Sequence, residues 1–262
     1  MSRPGSRARA QAARLGAPVA AALLVLLIWK LYASASGVRE STLPRPTQVL
    51  SALYDDRRLL VAGAWVTVGE IVVGYAVAVL VGVGLAVVVH ASPVVERALY
   101  PWLVASQTVP VPAIAPIIVL WTGFDLRPKV ILIALVCFFP IVVNTVDGLK
   151  AAEPELLDLL RTLGATRWQR FRLGQLPASL PFVFSGLKVA AALSVIGAVF
   201  AEWVGSSSGL GYQVLILNNQ TATGDMFAVI VVLSLIGVGL FLLVGLVERL
   251  LLPWYFEARR DS

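Results

Sequence analysis

Long apolar blocks constrain this chain more than any other feature of its sequence. The hydrocarbon core of a bilayer is about 30 Å thick, so a helix needs roughly 20 mainly apolar residues to cross it. Five blocks reach or approach that length, at 61–90, 99–121, 130–146, 181–204 and 226–247. A sixth block, at 17–32, is shorter and contains Lys30. We therefore predict an all-α integral membrane protein with six transmembrane helices.

The overall composition agrees with that prediction. Of the 262 residues, 58% are hydrophobic and 14% are charged, whereas soluble proteins carry roughly 25% charged residues. The apolar blocks take up most of the chain, so we expect no soluble catalytic domain. The predicted parts are a cytoplasmic tail, first crossing and external amphipathic segment at 1–60, a core of five crossings at 61–252, and a cytoplasmic tail at 253–262.

The distribution of positive charge predicts the orientation. With the N-terminus inside and six crossings, 13 of the 21 Lys and Arg residues lie in inner segments and 7 in outer ones, while Lys188 lies within a helix. This asymmetry follows the positive-inside rule. We expect a multi-pass protein of the plasma (inner) membrane with both termini cytoplasmic. The net charge of +6 does not indicate nucleic-acid binding, because the basic residues form no stripe with interleaved aromatic residues.

The N-terminal block has a second interpretation. Its arginines, apolar run and Ala33-Ser34-Ala35 together resemble a secretory signal peptide with a cleavage site. We favour an uncleaved first helix, because Trp29, Lys30 and Tyr32 form an interfacial anchor.

Glycines and prolines mark two of the crossings. The second crossing is rich in glycine, which lets helix backbones approach closely, so we expect it to be buried against its neighbours. Its glycines are Gly63, Gly69, Gly74, Gly82 and Gly84. In the third crossing, Pro110, Pro112 and Pro116 remove backbone donors. They predict a bend, and irregular backbone at membrane depth survives only inside protein or beside a cavity. The bend therefore either borders a path through the membrane or is a kink that serves packing alone.

The inner segment at 150–180 contains the start and stop signals of two consecutive helices. Pro154 stands at a first-turn position, where its missing amide costs nothing. Leu156, Leu160 and Leu163 recur at intervals of four and three residues, which predicts one apolar helix face. Gly164 ends this helix in the manner of a C-terminal glycine.

A second short helix should follow that glycine. Thr166 can cap it, and it would carry Arg167, Arg170 and Arg172 before the prolines at 177 and 181 begin the next crossing. We predict a rigid helix-turn-helix at the inner membrane surface, with leucines and arginines available to a partner. The alternative is a solvated basic segment that only fixes the topology.

A few polar side chains are placed within the crossings, where charged groups are rare and face an interior or a cavity. Glu70 can pair with a neighbouring helix or reach water, and Lys188 can extend toward the cytoplasm. Glu202 is expected at the outer interface, next to Trp203. Asn144 can form a hydrogen bond between helices or face a solute.

The sequence offers no chemistry-bearing cluster. No group of His, Cys and carboxylate residues has metal-ligand spacing, since His90 ends a helix and Cys137 lies within an apolar block. There is also no Gly-x-x-x-x-Gly-Lys-Ser/Thr phosphate cradle. We expect no catalytic residue, no metal and no cofactor.

The inner segment carries a resemblance to a known family. Asp158-Leu-Leu-Arg161-Thr-Leu-Gly164-Ala165, followed twelve residues later by Pro177, resembles the "EAA" loop of permease subunits of ATP-binding-cassette (ABC) importers. Asp158 stands where that loop has Glu, and Leu159 and Leu160 stand where it has two alanines. The glycine spacing is kept.

Further motifs resemble the branch of these permeases that imports nitrate, sulfonates, taurine and pyrimidine-type vitamin precursors. They are Gln107-Thr-Val-Pro110, Ala115-Pro116, Trp121-Thr-Gly123, Phe139-Pro140, Asn144-Thr145, Glu202-Trp203-Val-Gly205 and Gly209-Leu-Gly211-Tyr212. The resemblance implies a type I importer permease fold, and a solute that is a small anion or a pyrimidine precursor.

The same resemblance implies partners and roles. Two copies of the chain would form a pathway, two separate cytoplasmic ATPase subunits would drive it, and an extracytoplasmic binding protein would deliver solute. The implied ATPase-coupling residues are Asp158, Arg161, Thr162, Leu163, Gly164, Ala165, Thr166 and Arg167, and the candidate path residues are Glu202, Lys188, Asn144 and Gln107. The bend in the third crossing would lie beside that path.

Two other function classes compete with this one. A secondary transporter driven by an ion gradient would favour paired intramembrane carboxylates or inverted repeats, and Glu70 is the one plausible proton carrier. A membrane enzyme would need a catalytic constellation that the sequence does not contain. The identity of the solute, and whether the second permease is an identical copy, stay open at this point.

Overall fold

The computed structural model describes residues 4–35 and 39–258, except for the side chains of 4–15, 17–19 and 258, and these residues form helices and no strand. A π-helical segment, Phe171–Gln175, lies between the helices Arg167–Arg170 and Leu176–Gly205. The helices in chain order are α1 (Pro4–Ala33), α2 (Pro46–Asp55), α3 (Arg57–Ala91), α4 (Pro93–Ser106), α5 (Val111–Thr122), α6 (Leu126–Lys150), α7 (Pro154–Thr162), α8 (Arg167–Arg170), α9 (Leu176–Gly205), α10 (Leu210–Asn219), α11 (Thr223–Leu251) and α12 (Pro253–Ala258). Of the predicted cytoplasmic tails, residues 1–3 and 259–262 lie outside the described residues.

The chain forms two compact units. The first contains the described residues up to Leu60 together with Val214–Val231. Within it, the Trp29 indole donates a hydrogen bond to the Pro44 carbonyl at 3.1 Å, and its ring lies 6.0 Å from that of Phe227. Helix α2 lies in the predicted external amphipathic segment and has a proline in its first turn.

The second unit contains Val61–Gln213 and the residues from Val232 onward. Its core is formed by α6 and α9, which pack along one another. Helix α3 lies close to α6 because two of its glycines leave room. A Cβ on Gly74 would lie 2.6 Å from Cβ of Ile133, and one on Gly82 would lie 2.9 Å from Cγ2 of Ile141. The predicted close packing of the second crossing is confirmed at these two positions.

Four helices of the described residues are long and apolar enough to cross a membrane. They are α3, α6, α11 and the continuous run Arg167–Gly205, and they contain four of the predicted apolar blocks. The apolar part of α1, Ala20–Ala33, is shorter than a full span. The number of six crossings stays a prediction.

The third predicted crossing is not one helix. It is divided into α4 and α5, which meet at an angle of 100°. The prediction of a bend is confirmed, but the sequence-based block at 99–121 was wrong as a single helix. Pro110 provides the N-cap of α5 and Pro112 lies in its first turn, and neither has a backbone amide that could continue the hydrogen bonds of α4.

An apolar cluster holds together the ends of three helices in the second unit. One cluster joins α3, α4 and α6 through Ala86, Val89, Leu103, Val142 and Val146. Beyond it, Nζ of Lys150 lies 2.5 Å from Oε1 of Glu96, at the end of α6 and the start of α4. The helices from which the inner segment departs are therefore anchored by both packing and an ion pair.

Candidate coupling segment and buried polar clusters

Helix α7 ends in a turn that only glycine adopts readily. Gly164 has φ of +78°, its amide donates to the Arg161 carbonyl at 3.0 Å, and the Ala165 amide donates to the Leu160 carbonyl at 2.9 Å. This pair of bonds is the Schellman pattern, which satisfies carbonyls left open at a helix end. The predicted glycine stop is confirmed.

The second helix, α8, begins at Arg167 with Thr166 as its N-cap, as expected. The Thr166 hydroxyl accepts a hydrogen bond from the Gln169 amide, and the Gln169 side chain accepts one from the Thr166 amide, at 3.2 and 2.8 Å. This is a capping box. The chain therefore passes from α7 to α8 through a Schellman turn followed by a capping box.

The prediction of a separate arginine-bearing helix was wrong in its extent. Helix α8 has four residues, and Arg172 lies in the π-helical segment, where the Leu176 amide bonds to the Phe171 carbonyl. Pro177 has no amide to donate, and the wider π turn accommodates that gap without ending the helix. The run from Arg167 to Gly205 is therefore continuous.

Helix α7 packs back on this run through a second glycine. Gly174 is buried, and a Cβ there would lie 2.9 Å from Cδ2 of Leu157 and 3.6 Å from Cδ1 of Leu160. Leu163 takes no part in this contact and is 74% exposed. The predicted apolar face thus divides into leucines that fix α7 and a leucine that stays on the surface.

We define the coupling segment as residues 158–167. All eight residues assigned to coupling from the sequence lie in it, and all are exposed except Ala165, which is half-buried. Asp158, Arg161 and Arg167 make no ion pair among the described residues. The segment presents charged groups and an exposed leucine on a stiff support.

Glu202 lies near the C-terminal end of α9, next to Trp203, and it is fully buried within the protein. One carboxylate oxygen accepts a hydrogen bond from the Thr67 hydroxyl at 2.7 Å, and the other accepts bonds from the amides of Gly211 and Tyr212 at 2.6 and 3.1 Å. Because those amides belong to the first turn of α10, the carboxylate caps that helix from a distant element.

The glycines around this carboxylate have a physical role. Gly209 has φ of +105°, and a Cβ there would collide with the Glu202 carboxylate. A Cβ on Gly211 would lie 2.8 Å from Cα of Val199. The Glu-Trp-Val-Gly and Gly-Leu-Gly-Tyr motifs are thus two halves of one buried contact.

Two further buried ion pairs join helices of the second unit. Nζ of Lys129 lies 2.5 Å from Oε1 of Glu70 and donates to the Ser206 hydroxyl at 2.9 Å. The other Glu70 oxygen is buried without a hydrogen-bond partner among the described residues. Lys188 donates to Oε2 of Glu248 at 2.8 Å, so it pairs with a neighbouring helix. Sequence reasoning placed Lys129 in an outer loop, because its position at the start of an apolar block does not reveal a partner 59 residues away.

The remaining path candidates lie apart from these pairs. Asn144 donates to the Pro140 carbonyl of its own helix at 2.7 Å, so the expected bond between helices is not found among the described residues. Gln107 is exposed at the break between α4 and α5. The eight coupling residues lie in one segment, whereas no hydrogen bond or ion pair joins any two of the four path candidates among the described residues.

Comparisons with known proteins agree with this architecture. The family described as "Binding-protein-dependent transport system inner membrane component" matches residues 78–255. The formylaminopyrimidine transport permease protein ThiX of Halalkalibacterium halodurans is 40% identical over 233 residues, covering 88% of this chain and 93% of that protein. The taurine transport system permease protein TauC of Escherichia coli is 28% identical, covering 90% and 88%.

A solved structure shows the same fold. The crystal structure of an amino acid ABC transporter with histidines has a TM-score of 0.60 at 17% identity, covering 78% of this chain and 96% of that one. The predicted all-α permease fold is thus confirmed, and the family match favours an ABC importer over an ion-gradient-driven transporter. The chain belongs to the family of binding-protein-dependent transport system inner membrane components, and it is a multi-pass membrane permease subunit of an ABC importer.

Proposed function

We propose that the coupling segment is the part of this chain that contacts a separate cytoplasmic ATPase. The observation that carries the proposal is its geometry: exposed charged residues and Leu163 stand on a turn held by the backbone bonds around Gly164 and by the Thr166 capping box. A solvated loop that only fixed topology would need neither of these devices. The chain itself performs no chemical reaction.

The continuous helix supplies a route for the coupling motion. Arg167, at the end of the coupling segment, is also the first residue of the run that reaches Gly205. When ATP closes the ATPase dimer, a displacement of the segment is transmitted along this helix, since helices move as rigid elements within packed cores. The pathway would then open outward to receive solute.

The complex proposed here contains two copies of this chain, two ATPase subunits and an extracytoplasmic solute-binding protein. Each permease has six crossings with both termini cytoplasmic, and the α4–α5 pair counts as the third. The parts at 1–60, 61–252 and 253–262 keep the roles expected from the sequence. This arrangement is supported by the family match and by the positive charge of the inner segments.

The solute pathway is proposed to run beside the α4–α5 break. Irregular backbone at membrane depth is tolerated where it lines a cavity, and Gln107 is exposed there. Asn144 stays a candidate for direct contact with solute. Glu202 and Lys188, which are held in buried contacts, would act on the path by fixing the helices that border it.

The proposed solute is a small organic or inorganic anion or a pyrimidine-type vitamin precursor. The relatives named for formylaminopyrimidine and taurine transport support this range. The higher identity to the formylaminopyrimidine permease, 40% against 28%, favours the pyrimidine class.

Reconstituted vesicles test the proposed function. The permease is placed in liposomes with or without its ATPase subunit, and uptake of formylaminopyrimidine and taurine is measured with binding protein outside and ATP inside. Uptake should require the ATPase and should survive an ionophore that collapses the proton gradient. Uptake by the permease alone, or uptake abolished by the ionophore while ATP is present, would contradict the proposal.

A further inference from the structure

A cavity of about 620 Å³ lies beside the coupling segment, within the second unit. It is bounded by the last turn of α3, by Leu157 of α7 and by the first residues of the run that begins at Arg167. Its volume is in the range of small-molecule sites, roughly 300–1,000 Å³. Nothing described so far uses this space.

The polar lining of the cavity is basic. Arg167, Arg170 and His90 all line it, together with Gln175, and no carboxylate does. Nε of Arg170 is buried and has no hydrogen-bond partner among the described residues. A buried donor on a charged group that lacks a partner is costly, and such groups are rare in native structures. Neither the Arg167 nor the Arg170 guanidinium group makes an ion pair among the described residues, so their remaining donors are available to an anion in the cavity.

The rest of the lining is apolar and lies at the end of a membrane helix. Val87 and Phe171 are among the lining residues, and α3 is one of the four candidate spans. Trp168 is 66% exposed, and its ring stacks on Phe171 at 5.5 Å. Tryptophan is typical of the membrane–water interface. The cavity therefore joins a basic wall to an apolar wall at the end of a candidate membrane span.

We propose that this cavity binds an anionic phosphate group, held by the Arg170 and Arg167 guanidinium groups, which present forked donors suited to phosphate oxygens. Two sources have this chemistry: the headgroup of an anionic phospholipid and free phosphate in the cytoplasm. Basic pockets between membrane helices are suited to anionic headgroups. Because Arg167 belongs to both the cavity and the coupling segment, the occupant would help to fix the orientation of that segment.

The lipid arm of the test uses the full-length permease. Protein purified in neutral detergent is offered equal amounts of phosphatidylglycerol and phosphatidylcholine, and retained lipid is counted by native mass spectrometry. The unmodified protein should retain phosphatidylglycerol in preference. Arg170→Gln should lower that retention about tenfold, since one hydrogen bond to a charged group is worth about 1.5 kcal/mol. Arg172→Gln is the matched control, because Arg172 is exposed and lies outside the cavity.

The free-anion arm measures thermal unfolding with inorganic phosphate against chloride at equal ionic strength. Phosphate that stabilises the unmodified protein and the Arg172→Gln variant, but not the Arg170→Gln variant, supports the site with a soluble occupant. If Arg170→Gln does not fold, a photoactivatable phosphatidylglycerol on the unmodified protein should label residues 87–91 or 167–171.

Three results would overturn the proposal. The first is equal retention of both lipids together with no phosphate stabilisation. The second is an equal loss in the Arg170→Gln and Arg172→Gln variants, which would indicate diffuse charge. The third is weaker ATPase binding by Arg170→Gln with lipid and phosphate binding unchanged, which would assign the cavity to an acidic side chain of the ATPase. None of these readouts depends on uptake, so the proposal can fail while the coupling role stands.

Discussion

The turn at Gly164 allows the coupling proposal to be tested with graded substitutions. The residue has φ of +78°, and a Cβ placed on it meets no atom within 4 Å. Steric collision therefore plays no part, and the whole effect of a substitution comes from the backbone. An L-residue in the left-handed region costs about 1–2 kcal/mol, while asparagine tolerates that region.

These values predict an order of effects. Gly164→Asn should stay close to the unmodified protein, and Gly164→Ala should reduce the ratio of the native turn to its alternatives by about 5- to 30-fold. Gly164→Val, with its branched Cβ, should be worse. Gly164→Pro should abolish the turn, because proline fixes φ near −65° and removes the amide that donates to the Arg161 carbonyl.

The assay is uptake together with binding-protein-stimulated ATP hydrolysis in proteoliposomes, with the amount of permease in the membrane measured for each variant. Both activities should fall in the order Asn, Ala, Val and Pro, while insertion is unchanged. Gly84→Ala is the matched control, since that glycine is helical and also meets no atom within 4 Å. Uptake and stimulated hydrolysis at unmodified levels in Gly164→Pro would refute the reasoning.

The buried polar contacts give three further predictions, each checked by the thermal unfolding midpoint in detergent. Glu202→Gln loses a charged acceptor for two α10 amides and should destabilise by about 1.5–3 kcal/mol; an unchanged midpoint would contradict the capping role. Lys129→Met strands the Glu70 charge and should cost about 3–5 kcal/mol, with recovery when Glu70→Gln is added. Lys188→Met leaves the Glu248 carboxylate unpaired and should also lower the unfolding midpoint. Adding Glu248→Gln should raise the midpoint again, and a double variant no more stable than Lys188→Met would contradict the pairing.

The local features of the coupling segment were predictable because they depend on residues close in sequence. The Gly164 stop involves bonds that span only five residues, and the Thr166 cap involves Gln169, three residues away. Long apolar blocks were equally readable, since crossing a bilayer requires length and composition alone. The run from α8 to α9 was missed because proline predicts a helix start, whereas a π turn kept the helix intact.

The buried contacts could not be predicted in the same way. Thr67 and Glu202 are 135 residues apart, and Lys188 and Glu248 are 60 apart. A single sequence records that a charge lies in an apolar block but not which helix faces it. The sequence shows only that Glu202 lies near a helix end. Its environment also depends on α10, because an amide in the first turn of α10 donates a hydrogen bond to the Glu202 carboxylate.

Cross-linking between the coupling segment and the ATPase tests the central claim most directly. The chain has one cysteine, Cys137, which is buried, so an added thiol is the reactive one. Leu163→Cys, at a position 74% exposed, should cross-link to a single-cysteine ATPase subunit, and the yield should change when ATP is bound. Trp65→Cys is the control, because Trp65 is 75% exposed and lies near the start of α3, whereas the last turn of α3 is the part beside the coupling segment. This variant should give no cross-link. The experiment is repeated with a set of single-cysteine ATPase subunits that still support uptake, each with its cysteine at a different surface position. If the Leu163→Cys permease cross-links to none of them, the account is contradicted.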